Sequence, residues 1–302
     1  MRQWTREQIE VANKVYHRHE AELYDERHPE IFASETKRWS DFFNDWDKSR
    51  QGQTVVLDIG AGTGFIYSLA ESHLKTGDRF IASDLSPEML EICRKRAKKQ
   101  EFLELLVAPA DKLPLPDSSV DLVTVNSVLH HLPDPLAFLK EAIRTLKPGG
   151  RIVIMHEPNM AFPGSWIMRN VARFTSRLAM AIDKTDSDPA TKRDYSHIYQ
   201  AVNKELLASQ LIPAPLEPRQ IQSMVDIHSP TAGGSYEELG FSLNYFLEHG
   251  LKDWKIVKFE TYNFLGKLDP TTKAWRRTLN GVLKVLMPSK GSSFSLVIQK
   301  PL

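Results

Sequence analysis

The stretch "VVLDIGAGTGF", Val55 to Phe65, runs from an apolar segment into three glycines at alternating positions, Gly60, Gly62 and Gly64. A buried strand that ends in a tight glycine turn and continues into a helical run opens a βαβ unit. Downstream, short apolar runs alternate with helical spacing: "RFIAS", residues 87 to 99, "LELLVA", "VDLVTVN", residues 134 to 147, and "RIVIM". That rhythm predicts a parallel sheet. Ser86-Pro87 and Asp134-Pro135 read as helix starts of the N-cap plus first-turn proline type, and "KPGG" at 147 to 150 as a helix end.

Working outward, residues 5 to 23 and 35 to 48 carry helical apolar spacing, separated by the breaker "ERHPE". After Met155 the rhythm stops, and residues 159 to 235 hold helix-like pieces, the polar run "TDSDPATKRD" and the proline cluster "LIPAPLEP". It then resumes with a helix at 236 to 249 ending at Gly250, a strand near 254 to 264, a helix near 271 to 286 and a last strand "SFSLVIQ". The economical organisation is an N-terminal helical cap (1–50), an α/β core (51–158 and 236–302) and a helical lid or substrate insertion (159–235).

The 302 residues are 41% hydrophobic and 25% charged, and 39 basic side chains against 38 acidic ones leave a net charge of +1. No general attraction for a polyanion follows, so nucleic acid is not an expected partner. Cys93 is the single cysteine and has no intrachain partner. The amino terminus lacks the apolar core of a secretory signal, and no apolar run approaches the roughly 18 residues of a membrane span. A soluble, cytoplasmic protein is expected.

The glycines decide the ligand class. A dinucleotide fingerprint, G-x-G-x-x-G, requires glycine at 60, 62 and 65, and position 65 is Phe65. The pattern present is D-x-G-x-G-x-G, in which Asp58 at the strand end can receive a cationic amine and the bare backbone at Gly60 and Gly62 permits close approach. Asp84, at the end of the next strand, is placed to accept both hydroxyls of a ribose. A ligand with an amine and a ribose fits both halves.

Together with "APADKLPLPDSSVDLVTVNSVLHHLPDP" and "LKPGGRIVI", these residues resemble the class I S-adenosylmethionine-dependent methyltransferases, in particular the ubiquinone and menaquinone C-methyltransferase branch. The resemblance covers residues 50 to 157. It implies a Rossmann-like seven-stranded sheet with an antiparallel last strand, and S-adenosylmethionine as cofactor with S-adenosylhomocysteine as product. Ala61, Leu85 and Asn126 are carried over as further cofactor contacts, and Tyr24 in "AELYDERH" as the tyrosine placed over the cofactor. The chain departs from the pattern at Pro109, where the family often has an acid for the adenine amino group. Asp111, with the Ala110 or Asp111 amide, is the substitute candidate.

Methyl transfer from a sulfonium is an in-line displacement with a good leaving group, so alignment dominates and a base is optional. His130 and His131 follow the fourth strand at the carboxyl edge of the sheet, where ligands bind in open α/β folds. His130 is the favoured candidate to face the acceptor. His156 and Glu157 end the fifth strand, and strict alternation would send them to opposite faces. No metal-ligand spacing is present and no metal is expected. Arg169, Arg173 and Arg177 recur on one stripe of a helix that reads as a lid with a solvated basic face, membrane-surface contact being the less favoured reading. The expected function is methyl transfer to a small organic acceptor, with an apolar or lipid-like metabolite among the classes left open. A non-catalytic S-adenosylmethionine-binding or scaffold protein is the alternative, and a nucleotide-dependent oxidoreductase is disfavoured by Phe65.

Overall fold

The computed structural model describes residues 4–182, 196–228, 240–265 and 273–302. Seven strands, β1 (Val55–Ile59), β2 (Arg79–Asp84), β3 (Leu103–Val107), β4 (Val120–Asn126), β5 (Leu146–Pro158), β6 (Lys255–Tyr262) and β7 (Ser293–Gln299), form one sheet in the order β3-β2-β1-β4-β5-β7-β6. β1 pairs in parallel with β2 and β4, while β7 runs antiparallel to both β5 and β6. Strand order reverses at β1, so the connections leaving β1 and β4 diverge and open a crevice at the carboxyl edge.

β1 feeds both faces of the sheet. Leu57 and Ile59 point into one apolar cluster and Val56 into the other. The second cluster also takes Trp39 and Phe43 from α3 (Pro29–Ser49), Ile66 and Tyr67 from α4 (Phe65–Ala70), and Leu90 and Cys93 from α5 (Pro87–Arg96). The opposite cluster takes Phe138, Leu139 and Ala142 from α6 (Pro135–Thr145). Ser86 and Asp134 cap α5 and α6 as the sequence predicts, the Asp134 carboxylate accepting from the Leu136 and Ala137 amides.

The "ERHPE" stretch separates the helices as expected: α2 (Tyr24–Arg27) ends at a non-helical His28, and Pro29 occupies the first turn of α3, where its missing N–H costs nothing. Residues 1–50 do not pack as one layer. α1 (Arg6–Glu20), held at its start by a capping box on Thr5, buries Ala12, Val15 and Tyr16 against Ile198, Val202 and Leu206 of residues 196–208 and Ile221 and Met224 of residues 218–225. This helical layer roofs the carboxyl edge, while α3 belongs to the sheet.

Residues 166–182 form a helix that buries Met168 and leaves Trp166, Arg173, Phe174 and Arg177 exposed. The Arg169 guanidinium instead reaches the Pro163 carbonyl. After residue 240 the helix begins at Leu243, capped by the Ser242 hydroxyl. The polar run at 185–194, Gly233, Gly234 and residues 236–239 lie outside the described residues. Among the described residues no helix is long and apolar enough to cross a membrane.

Candidate active site

The three glycines serve three different ends. Gly60 sits at φ +70°, and a Cβ there would lie 2.4 Å from Val128 Cγ2, so the position requires both the left-handed backbone and the missing side chain. Gly64, at φ +87°, faces Cys93, whose Sγ would lie 2.7 Å from an added Cβ. Gly62, at φ +52°, has nothing within 4 Å of an added Cβ. Its open side belongs to a cavity, and its amide donates to Asp84 Oδ2 at 2.9 Å. Asp84 Oδ1 accepts from the Ser86 amide at 2.8 Å, so the end of β2 clamps the glycine turn of β1.

That cavity, of about 140 Å³, is lined by Tyr24, Gly60, Gly62, Asp84, Leu85, Ala110, Asp111 and Asn126, all singled out in the sequence. Asp111 is held there by Arg6 of α1. Asp58, Ala61 and Gly64 do not line it. Ala61 turns into the sheet core and Gly64 packs on α5. Asp58 lies beneath the turn, 1% exposed, where Thr124 Oγ1 donates to Oδ1 at 2.7 Å and Oδ2 is left without a partner. Burial pushes its carboxyl up to about 8.

A second chamber of about 600 Å³ adjoins the first, and His17, Tyr24, Ser127 and His131 line both. The roof of this chamber comes from α1 and from Gln222, Val225 and Asp226, and its floor from the loop after β4, the end of β5 and the start of β7. Five imidazoles line it: His17, His28, His130, His131 and His156. Each has a carboxylate neighbour. Glu20 lies 3.3 Å from His17 Nδ1 and 3.1 Å from His28 Nε2. Glu157 Oε2 lies 2.9 Å from His130 Nδ1, Asp226 Oδ1 lies 3.2 Å from His131 Nδ1, and Glu35 Oε1 lies 2.9 Å from His156 Nδ1.

The sequence expectation of opposite faces for His156 and Glu157 fails for a local reason. A register shift between Met155 and Glu157 and a φ of +60° at His156 break the alternation. His156 lines the second chamber, whereas fully buried Glu157 accepts from the Val128 and Leu129 amides at 2.5 and 2.8 Å and organises the His130 loop. Ser127 is also left-handed at φ +60°. Two non-glycine residues in this rare conformation within one chamber wall mark a site where geometry outranks local comfort. His130, the favoured acceptor-facing candidate, lines only the second chamber, and it is His131 that reaches both.

Electrostatics separate the imidazoles. Desolvation opposes the charged form of His28, yet Glu20 and Glu30 outweigh it and raise His28 to about 9. Desolvation likewise opposes His131, and Asp226 raises it. His130 moves down, first through burial and then through the neighbouring His131. Charged and neutral imidazoles therefore face the same space.

The family described as "Methyltransferase domain" matches residues 57–154. Demethylmenaquinone methyltransferase of Bacillus licheniformis is 34% identical over 153 residues, covering 50% of this chain and 63% of that protein. The corresponding protein of Clavibacter sepedonicus is 33% identical over 140 residues, covering 46% and 55%. The chain is thus similar to methyltransferases over the span that holds the glycine turn, Asp84 and the loop of His130 and His131. It spans less than two thirds of the length of these relatives. Among solved structures, the S-adenosylmethionine-dependent methyltransferases of Aquifex aeolicus and Mesorhizobium loti superpose with TM-scores of 0.42 and 0.45 at 15% and 17% identity, covering 86% and 82% of this chain and 88% and 92% of theirs.

Around the glycine turn the sequence reading missed the outer ring of the second chamber: Tyr16, His17, Glu20 and His28 from the amino terminus, Gln222 and Asp226 from the insertion, and Glu35 behind His156. One signal was present. Asn13, His17, Glu20 and Tyr24 recur at three- and four-residue intervals, a polar stripe on an otherwise packed segment, and all four line one cavity or the other. Nothing local marks Asp226 or Glu35.

Proposed function

We propose that the chain transfers the methyl group of S-adenosylmethionine to a small organic acceptor, with the cofactor over the Gly60–Gly62 turn and the acceptor in the imidazole-lined chamber. The observation that carries this reading is the open cradle at Gly62. A left-handed glycine faces a cavity, and Asp84 at the end of the next strand both clamps its amide and lines that cavity. The domain match and the relatives' name support the reaction class.

The cofactor fits the residues present. Asp84 offers carboxylate oxygens for ribose hydroxyls, and Asp58 keeps a buried, unpartnered oxygen beneath the turn toward which an ammonium, or a water bound to one, would be drawn. Ala110 and Asp111 form the wall for the adenine ring, and Tyr24 closes the junction. When bound, the sulfonium supplies an electrophilic methyl group. The protein's part is alignment, which accounts for most of the catalysis expected in such a displacement. His131 and Ser127 stand at the junction where donor and acceptor meet, Glu157 fixes the ring of His130, and Glu35 fixes the ring of His156.

The chamber wall narrows the acceptor. Five imidazoles, with Tyr16, Tyr24, Ser127, Ser292 and Ser293, outnumber the apolar Ile31, Pro158 and Val225. Most of the lining surface is nonetheless carbon, so a small molecule that carries hydrogen-bonding groups on an apolar frame suits it. Calorimetry tests the cofactor half. Wild-type protein should bind S-adenosylhomocysteine saturably, and Asp84→Asn should weaken it by about 1–3 kcal/mol, because ribose hydroxyls lose a charged acceptor. Absence of binding by the wild type would remove the proposal. Binding without product formation from any metabolite extract would favour the non-catalytic alternative.

A further inference from the structure

Among the described residues, His130, His131 and Asp226 each place one ligand-type atom within 4.8 Å of the others, in the wall of the second chamber. We propose that these three side chains form a binding site for a divalent transition-metal cation, with Val225 O as a fourth donor within reach. Two imidazoles and a carboxylate suit zinc, manganese, iron(II) or cobalt(II).

The distances are those of a site slightly open. His131 Nδ1 lies 3.2 Å and His130 Nε2 lies 4.0 Å from Asp226 Oδ1. Donors about 2.0–2.2 Å from one cation lie roughly 3.0–3.6 Å from each other. The first separation therefore needs no change, and the second closes with a side-chain shift of about half an ångström. Val225 O, 2.8 Å from His131 Nδ1, stands on the same side.

The surroundings supply what isolated histidines lack. Metal-bound imidazoles almost always donate the far ring N–H to a carboxylate or carbonyl, which fixes tautomer and ring plane. His130 Nδ1 has Glu157 Oε2 at 2.9 Å, so its Nε2 is the nitrogen left with a lone pair. Glu157 itself is immobilised by the amides of the loop that carries both histidines. Gln222 Nε2 holds Asp226 Oδ2, so Oδ1 is the oxygen turned to the imidazoles. The ligand atoms of His130 and Asp226 are thus each selected by a neighbour. Without a cation, a proton on His131 Nδ1 shared between Asp226 and Val225 takes the same place, and a cation would displace it.

The position gives the cation a use. Three protein donors leave an open position on a tetrahedral cation, as in catalytic metal sites, and with Val225 O as a fourth an open position requires five or six coordination. His131 lines both cavities, so the cation would lie beside their junction, where an acceptor hydroxyl or carboxylate oxygen would enter. This use rests on the methyl-transfer reading, whereas binding of the cation does not.

The full chain, stripped by chelator and dialysed, is titrated with zinc by calorimetry and with cobalt(II) by visible absorption. One cation per chain, with cobalt d–d bands of nitrogen–oxygen coordination, is expected. Asp226→Asn and His131→Gln should each weaken zinc at least tenfold, and His249→Gln, on the exposed surface, should leave it unchanged. Circular dichroism of the stripped variants establishes that they are folded, and the cobalt spectrum of the wild type stands without them. No saturable cation binding by the wild type, or binding that survives both substitutions, overturns the site. S-Adenosylhomocysteine binding by the stripped wild type, measured in parallel, keeps failure of the metal site distinct from failure of the methyl-transfer reading.

Discussion

Asp58 shows how much one buried atom can decide. Its carboxyl is raised to about 8 by burial, with Thr124 pulling the other way and Asp84 adding to the rise. A carboxyl raised in the folded state stabilises the fold when protonated. That contribution is complete below the ordinary carboxylate value near 4 and is lost as pH rises through about 8. Asp58→Asn keeps an acceptor for Thr124 and cannot ionise, so its melting temperature should fall less than the wild type's between pH 6 and pH 9. Parallel melting curves across that window would show that Asp58 is not the group responsible. The glycines give a sharper contrast. Gly60→Ala drives a methyl into Val128 and should cost folding, whereas Gly62→Ala meets only open cavity and, apart from modest backbone strain, should cost cofactor binding. Thermal unfolding and calorimetry on both variants separate the two. Equal losses in both assays would mean that the cavity over Gly62 is not where the ligand lies.

At the scale of elements, what was legible follows from sequence distance. Strand β1, its turn, β2 and the caps of α5 and α6 are written in adjacent residues: Asp58 to Gly64, Asp84, Ser86-Pro87 and Asp134-Pro135. Local chemistry made them readable. The second chamber is assembled instead from α1, α3, the loop after β4, the end of β5, the start of β7 and residues 222–226, and no local pattern announces that Glu35 will meet His156 or that Asp226 will meet His131. The bulge at His156 was hidden for the same reason, since its geometry depends on pairing with β7 and on the Tyr262 hydroxyl, 2.8 Å from its amide. Glu35 ties these elements together, being fully buried and accepting from Ser34 at 2.7 Å, from His156 and from Tyr262 at 2.9 Å. Glu35→Ala should therefore cost about 3–5 kcal/mol in urea unfolding, because it strands buried partners of a charge. A loss below about 1 kcal/mol, the scale of an exposed pair, would show that α3 is held to β5 and β6 by apolar packing alone.

The whole molecule joins two layers of different kind. The α/β layer buries two apolar clusters against its sheet, while α1 and residues 196–225 pack mainly on one another in a third cluster. Both cavities lie where the layers meet, and most residues that line them from the roof, Arg6, His17, Glu20, Gln222 and Asp226 among them, are polar, with Ile9 and Val225 the apolar exceptions. A roof joined to the sheet by polar contacts across a cavity has less holding it than the sheet has, so it should open locally at a smaller free energy. Ligand filling the cavities then adds contacts to both layers at once and stabilises the closed arrangement by mass action. Amide exchange with and without S-adenosylhomocysteine tests this at the scale of the fold. Protection should rise over residues 6–20 and 218–225 as well as over the Gly60–Gly64 turn, while β4 and the strand interior of β5, already fully buried, change little. Protection confined to the glycine turn and the end of β2 would mean that the roof stays open with cofactor alone. Residues 159–235 would then act as a lid only once the acceptor has entered, and exchange measured with both molecules present should recover the missing protection.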